Sequence, residues 1–408
     1  MLDPYEVRKD FPVLERRING NPLIYFDNAA SSQKPIQVLK AVENLYEHSY
    51  ANVHRGVHTL SQEASELYEE AHREVARFIN ADEMEEIVFV RGTTEALNLV
   101  AYSFALNRLN SGDEVITTLM DHHSNILPWE FLSKLKGFQV KYVNVTPDGL
   151  LNYQSFEELI NDKTRLVCVP QVSNVTGIIN DVKRITTTAH EHDALVIVDA
   201  AQSAPHMPVD VKALDVDFLA FSGHKMLAPT GIGVLYGKKS LLEDMPPFHG
   251  GGSMIRHVKY DNALKRCAVE LNDLPWKFEA GTPNISGGVG LMEAVRYLRK
   301  IGMENVEQHE KALTSYASEK LGELEKVHIV GSTDISIKTG IVPFLVDGFD
   351  SHDVALFLDN FGIMVRSGFH CAEPLHQQLG VRHTVRASFY IYNTQEEIDR
   401  FVEALKML

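Results

Sequence analysis

Cysteine is scarce in this sequence of 408 residues, with only Cys168, Cys267 and Cys371. Three thiols cannot build a disulfide framework, and no Cys-x-x-Cys spacing marks a zinc or redox site. Such usage fits a reducing cytoplasm. No apolar run reaches the length of a membrane span. Residues 1–10 carry charges throughout and lack an apolar signal core, so a cytoplasmic protein is the expectation. Positive charge is also short. Lys and Arg number 39 against 55 Asp and Glu, and the net charge of −16 argues against nucleic acid or an anionic membrane as the main partner. Internal repeats and low-complexity linkers are absent too. What is present is 44% hydrophobic content on a chain long enough to bury a large core, as two domains or one large domain with an appendage.

Along the chain, residues 2–14 read as a short N-terminal helix or arm. Residues 36–46 are helical by spacing, with Val38, Leu39, Val42 and Leu45 on one side. A further helix is expected over 67–78 and a buried strand over 87–90. Strand-like runs follow at 114–119, 140–145, 165–170, 195–198, 218–221 and 233–236, and helical patterns at 94–104, 129–135, 155–160 and 182–192 fall between several of them. That alternation predicts an α/β fold with a mainly parallel sheet covered on both faces. In such sheets the ligand site lies beyond the carboxyl ends of the strands. After Gly287-Gly288 the pattern changes to long helices at 289–301 and 306–324. Short strands at 327–330 and 341–346, a helix at 353–361, a strand at 363–366 and a closing helix at 395–405 complete a separate α+β lobe.

The central stretch is Phe218-Leu-Ala-Phe-Ser-Gly-His-Lys-Met226, where an apolar run ends in Ser222-Gly223-His224-Lys225. A lysine at the end of a buried strand loses hydration, which lowers its pKa. A neutral amine is what condenses with an aldehyde. The plain alternative is an exposed lysine beside a glycine-rich turn. Arg91-Gly92-Thr93-Thr94-Glu95 follows a strand and opens a helix. Free N–H groups and the dipole at such an end suit a phosphate, although Thr with Glu close behind also describes an ordinary capped start.

Asp199 directly follows Leu195-Val-Ile-Val198. A carboxylate at the end of a buried strand needs a cation or several donors. A protonated pyridine nitrogen would serve, and so would the N–H groups of the next turn. In Asp121-His122-His123-Ser124-Asn125 one imidazole can lie on an aromatic ring, but two adjacent His point in different directions, so only one is expected there. The pair lacks metal-ligand spacing. Cys371 sits in Arg366-Ser-Gly-Phe-His370-Cys371-Ala-Glu-Pro374, a loop where Arg366 and His370 are expected to lower the thiol pKa. Cys168, inside Leu166-Val-Cys-Val169, reads as structural instead, and Cys267 as incidental surface. Arg386, among apolar and small residues, offers a fork that matches a carboxylate; an internal salt bridge competes with that reading.

Taken together and in this order, these residues resemble the PLP-dependent class V aminotransferase family. More closely they are similar to the group II, or SufS-type, cysteine desulfurases, with selenocysteine lyase as a sibling activity. The resemblance runs from Asp10-Phe-Pro-Val-Leu14 and Asn52-Val-His-Arg-Gly-Val-His-Thr-Leu-Ser61, through Phe278-Glu-Ala-Gly-Thr-Pro-Asn284, to Arg366-Ser-Gly-Phe-His-Cys-Ala372. It implies a fold-type I architecture with a large seven-stranded, mainly parallel sheet domain over 25–288. A smaller α+β domain would be formed by 1–24 and 289–408 and carry the cysteine loop. It further implies that Lys225 binds pyridoxal 5'-phosphate covalently, Asp199 pairs with the pyridinium nitrogen, Gln202 bonds the ring hydroxyl and His122 stacks on the ring. Thr93, Thr94, Ser222 and His224 would hold the phosphate, with Thr282 reaching it from the neighbouring subunit of a homodimer. Asn174 and Arg386 would grip the substrate carboxylate.

The implied reaction takes L-cysteine to L-alanine. The Lys225 amine removes the α-proton, the ring stores the electrons with the help of Asp199, and the Cys371 thiolate accepts the sulfur as a persulfide. An acceptor protein of an iron–sulfur assembly system would take it onward. Many relatives have His-His before the cysteine where this chain has Phe369-His370, which bears on loop tuning. His352 offers a surface contact for a metal-bearing partner or is simply a surface His. The competing readings are selenocysteine lyase, another PLP lyase or transaminase, and a catalytically silent scaffold.

Overall fold

Uninterrupted apolar runs make strands that must be covered on both faces. In the computed structural model, which describes residues 2–408, the strands Ile87–Val90, Glu114–Thr118, Phe218–Ser222 and Gly233–Gly237 are buried at every position. They belong to one seven-stranded sheet. Its spatial order is Ile87–Val90, Gly233–Gly237, Phe218–Ser222, Leu195–Asp199, Thr164–Pro170, Glu114–Thr118 and Gln139–Val143. The pairings from Phe218–Ser222 to Gln139–Val143 are parallel. Gly233–Gly237 runs against both its neighbours, because it follows Phe218–Ser222 through a turn with no crossover helix. Gly233 is required there, since a Cβ on it would lie 2.5 Å from the Gly92 Cα.

Helices cover the sheet with boundaries that small residues move. Thr59–Phe78 starts eight residues before the expected 67, capped by the His58 side chain, which accepts from the Ser61 N–H. Its first turns bury Ser61 and Ala64, so the apolar periodicity fades there. Ile285–Ile301 contains Gly287 and Gly288 instead of following them. A Cβ on Gly288 would stand 3.0 Å from the Tyr68 ring, and one on Gly290 would stand 2.7 Å from Pro229. Close helix packing, not a boundary, accounts for these glycines. At the N-terminus Pro12 divides the expected helix into Pro4–Arg8 and a tighter turn at Pro12–Glu15.

The smaller lobe carries a four-stranded sheet in the order Val327–Ile329, Ile341–Val346, Thr384–Ser388 and Arg366–Gly368, antiparallel throughout. Helices Met303–Gly322, Ser351–Asp359 and Gln395–Leu405 accompany it. Residues 24–26 join this lobe, since Ile24–Tyr25 pairs in parallel with Ile363–Met364 and Phe26 packs edge-on against Phe389 and Phe401, whereas Phe11, Leu14 and Leu23 pack in the core of the larger sheet. One feature has no counterpart in the sequence reading. Strands Ile255–Asp261 and Arg266–Leu271 form a hairpin exposed along nearly its whole length, so neither face leaves a buried periodicity. Among the described residues no helix is long and apolar enough to cross a membrane.

Candidate active site

The carboxyl ends of the parallel strands meet the smaller lobe around a cavity of about 250 Å³. Asp199 ends the strand Leu195–Asp199 and is buried. Its Oδ1 accepts the Ala201 N–H at 2.9 Å. Burial pushes its carboxyl up, the Ala201 bond and the charge of Lys225 pull it down, and its other oxygen is left for a cationic donor. Lys225 follows the neighbouring strand in the turn Gly223–Lys225. Its side chain reaches the free space of the cavity but is otherwise ringed by protein. Burial lowers its amine to about 8, with Asp199 opposing.

His122 lines the same cavity. Its Nδ1 accepts the Ser124 N–H at 3.1 Å, which leaves the proton of the neutral ring on Nε2. Burial first and Lys225 second push the ring down to about 4, so it is uncharged at neutral pH. His123 turns away, the two ring centroids standing 6.3 Å apart. Its N–H donates to the Cys371 carbonyl at 2.8 Å, and its Nε2 accepts the Glu373 N–H at 3.2 Å. One imidazole of the pair thus lines the cavity, and the other residue holds the cysteine loop.

At the other end of the cavity the helix Thr93–Val100 begins after Gly92 with no side-chain cap. Thr93 is its first residue, not its cap, and Glu95 instead accepts the Arg91 N–H at 2.5 Å; the capping-box alternative therefore does not describe this end. The Thr93 N–H donates to Ser222 Oγ at 2.8 Å, and the Thr94 and Ser124 hydroxyls lie 2.8 Å apart. Three hydroxyls and an exposed helix terminus form a cradle for a phosphate-sized anion. His224 beside it is held neutral, down to about 4, by burial and then by Lys225. Gln202 donates to the Ala29 carbonyl at 2.7 Å, while its Oε1 is buried without a partner. That orphaned acceptor suits a phenolic hydroxyl, and with the acid at Asp199, the amine at Lys225 and the hydroxyl cradle, the donor set fits pyridoxal 5'-phosphate. Thr282 is exposed and stands outside this cavity, beside a hollow shared with Arg91, Glu95 and Phe248.

On the remaining wall, Arg386 lies in the strand Thr384–Ser388 and is 2% exposed. Its Nη1 donates to the Asn174 carbonyl at 2.6 Å, and its Nε is buried with no partner. Burial lowers it to about 10, with Asp27 opposing, so it stays cationic. Asn174 Nδ2 donates to the His370 carbonyl at 2.7 Å, which leaves its second amide hydrogen for a ligand. Asp27, which precedes the cavity-lining Ala29 and Ala30, also faces this wall. It accepts Arg366 at 3.0 and 2.8 Å and lies 3.6 Å from Arg386. One carboxylate against two guanidiniums leaves this wall net positive, which favours a substrate carboxylate.

Cys371 is exposed and lines the cavity from the smaller lobe. His370 and Cys371 both take positive φ, 53° and 57°, a pair of left-handed residues that costs about 1 kcal/mol or more each. Asn174 and His123 hold the loop in that shape. The expectation for His370 needs correction: burial and the nearby arginines push its ring down to about 2, so it carries no charge to lower the thiol. Positive charge near the sulfur comes from Arg366, Arg386 and Lys225, each of which responds to the charge of Cys371. Cys168 is fully buried, as expected, and Cys267 is exposed on the hairpin.

Comparison with known proteins agrees with this arrangement. The chain is 48% identical over 406 residues to a probable cysteine desulfurase of Halalkalibacterium halodurans, covering 99% of this chain and 98% of that one. It is 46% identical to a cysteine desulfurase of Haloferax volcanii, covering 99% and 96%. Among solved structures, the apo cysteine desulfurase of Thermococcus onnurineus NA1 superposes with a TM-score of 0.94 at 43% identity, covering 100% of this chain and 99% of that one. The cysteine desulfurase CsdA of Escherichia coli gives 0.91 at 38% identity, covering 100% and 98%. The profile of the family Aminotransferase class-V matches residues 24–401. With that match across most of its length, the chain belongs to the class V aminotransferase family.

Proposed function

We propose that this protein is a PLP-dependent cysteine desulfurase that converts L-cysteine to L-alanine and leaves a persulfide on Cys371. The observation that carries the reading is that Lys225 and Cys371, from opposite lobes, line one cavity together with Asp199 and Arg386. Lys225, Asp199, Gln202 and His122 would hold the ring of pyridoxal 5'-phosphate, and Thr93, Thr94, Ser222 and His224 its phosphate. When bound, that group supplies an electron sink that acidifies the substrate Cα–H and activates its sulfur.

The chain's own residues do the rest. Arg386, assisted by the amide of Asn174, binds the substrate carboxylate and fixes which Cα bond faces Lys225. Lys225 Nζ takes the α-proton, a role for which an amine near 8 is suited at neutral pH. His122, neutral and bonded at Nδ1, covers one side of the site and can give or take a proton at Nε2. The Cys371 thiolate attacks the substrate sulfur; the new S–S bond forms as the substrate's C–S bond breaks, and its electron pair stays with the carbon that becomes alanine. The exposed position of Cys371 supports onward transfer to an acceptor protein of an iron–sulfur assembly system.

The finer reading is a group II, SufS-type enzyme, supported by the short, tightly bonded loop around Cys371. A homodimer is supported by Thr282, which faces out of its own site and is free to complete a partner's. The domain division follows the same logic, with 25–288 binding the cofactor and 1–24 with 289–408 presenting the cysteine. Free cysteines and the lack of a membrane-length apolar helix among the described residues support a cytoplasmic setting.

Selenocysteine lyase is the second reading, since selenocysteine differs from cysteine by one atom at the wall that Cys371 lines and selenium can leave without a protein thiol. The deciding experiment counts alanine from cysteine and from selenocysteine with Cys371→Ser. A desulfurase loses the cysteine reaction and keeps the other; undiminished turnover of cysteine would refute the role given to Cys371.

A further inference from the structure

The turn that presents Lys225 is gripped by Ser31, Ser32 and Lys34, to which the reaction assigns no role. Residues 27–34 join the two lobes. On the small-lobe side, Asn28 Nδ2 donates to the Ser388 carbonyl at 2.7 Å, the Ala29 N–H to Ser388 Oγ at 2.9 Å, and the Gln33 N–H to the Tyr392 hydroxyl at 3.0 Å. Ser388 ends the strand that carries Arg386.

On the other side the segment converges on a single atom. The His224 carbonyl oxygen receives the Ser32 N–H at 3.1 Å, the Ser31 hydroxyl at 3.1 Å, the Ser32 hydroxyl at 3.3 Å and Lys34 Nζ at 3.1 Å. The Ser32 hydroxyl also accepts the Leu227 N–H at 2.8 Å. It therefore bridges both ends of the turn that contains Lys225. Leu227 has φ +70°, a conformation that a branched residue keeps only when its surroundings impose it.

Lys34 is unusual in this company. It is half-buried, has no carboxylate partner, and also donates to the Ser32 carbonyl. Drawing an ammonium out of water without a counter-ion is costly, and a neutral donor would have served packing alone. A charged donor makes a stronger bond to a carbonyl than a neutral one. Its charge also falls on His224, where it acts with burial and Lys225 to keep that ring neutral.

We propose that Ser32 and Lys34 are positioning residues for Lys225: by fixing the His224 carbonyl they set the direction in which the lysine enters the cavity, and residues 27–34 hold that turn in register with the strand carrying Arg386. The inference rests on the reading of Lys225 as the cofactor-bearing amine. Neither residue lines the cavity, so they act through the turn and not on the substrate.

The test uses the full-length protein with Lys34→Met, Lys34→Arg and Ser32→Ala, and Lys225→Ala as reference. In the apoprotein, Lys34→Met and Ser32→Ala each raise hydrogen exchange at the Leu227 amide about tenfold, the loss expected for one charge-assisted or bridging bond. Lys34→Met also slows capture of added pyridoxal 5'-phosphate about tenfold and moves the pH midpoint of the bound cofactor's visible band, whereas Lys34→Arg restores both to within about threefold. A Lys34→Met protein that melts earlier but keeps wild-type exchange, capture and pH midpoint overturns the proposal, as does failure of Lys34→Arg to restore them. Ser32→Ala removes one hydroxyl and keeps the exchange test available if Lys34→Met does not fold. Borohydride that still fixes the cofactor covalently to the Lys225→Ala chain would instead overturn the reading of Lys225, and the exchange result would still report on the clamp.

Discussion

Asp27 accepts hydrogen bonds from both Nε and Nη2 of Arg366 while standing 3.6 Å from the buried Arg386. The two guanidiniums thus share one carboxylate, and both lie on the wall that would receive a substrate carboxylate. Removing Asp27 leaves Arg386 buried beside an unopposed like charge. Asp27→Ala should destabilise the protein by about 3 kcal/mol, at the low end of the range for breaking a buried pair. Urea unfolding checks this, and an unchanged midpoint would show that Asp27 does not compensate Arg386.

Arg386→Lys keeps a positive charge but loses the planar fork. It should raise KM for cysteine by about ten- to a hundredfold with a smaller fall in kcat, the pattern of lost ground-state binding. Steady-state kinetics separates the two. A selective loss of kcat would mean that Arg386 acts on the transition state and not on docking.

Lys225 makes a prediction about pH. Burial lowers its amine from 10.5 to about 8. Between those values the unfolded chain holds more protons than the folded one, so stability rises with pH across that window. The penalty is full below about 8 and fades toward 10.5. Lys225→Met should therefore stabilise the apoprotein at neutral pH by about 1–3 kcal/mol, with the gap closing as pH approaches 10.5. Paired urea titrations at several pH values measure it. A gap independent of pH would contradict the lowered pKa.

His123 donates to Cys371 and accepts from Glu373, so its ring holds a loop with two left-handed residues. His123→Ala removes only the second of these bonds. It should lower the rate of sulfur transfer about three- to tenfold, the scale of one hydrogen bond, while leaving the visible band of the bound cofactor unchanged. Single-turnover kinetics with cysteine tests this, and a changed visible band would place His123 at the ring instead of the loop.

Much of this architecture was legible. Strands such as Ile87–Val90 and Ile341–Val346 are continuous apolar runs with polar neighbours, and the closing helix Gln395–Leu405 has a Thr394–Glu397 capping box; both signals are local. The first turns of Thr59–Phe78 were hidden because Ser61 and Ala64 form the buried face. Gly287 and Gly288 looked like a break because their reason, the approach of the Tyr68 ring, lies far away in sequence. At the site, the residue types at Lys225, Asp199, His122 and Arg386 were readable because each charge or ring follows or interrupts a buried strand. Asp27 and Ser32 were not, since a short polar residue in a turn gives no sign of the partner it will meet. The charge expected on His370 failed for a related reason: burial, which no local pattern reports, keeps that ring neutral.

The most direct test mixes the holoenzyme with one equivalent of L-cysteine, quenches it, and weighs the peptide containing Cys371 while counting alanine. This peptide should gain one sulfur atom, removable by a reductant, for each alanine formed, and Lys225→Ala should yield neither. Alanine released at the wild-type rate with the Cys371 peptide unmodified would contradict it.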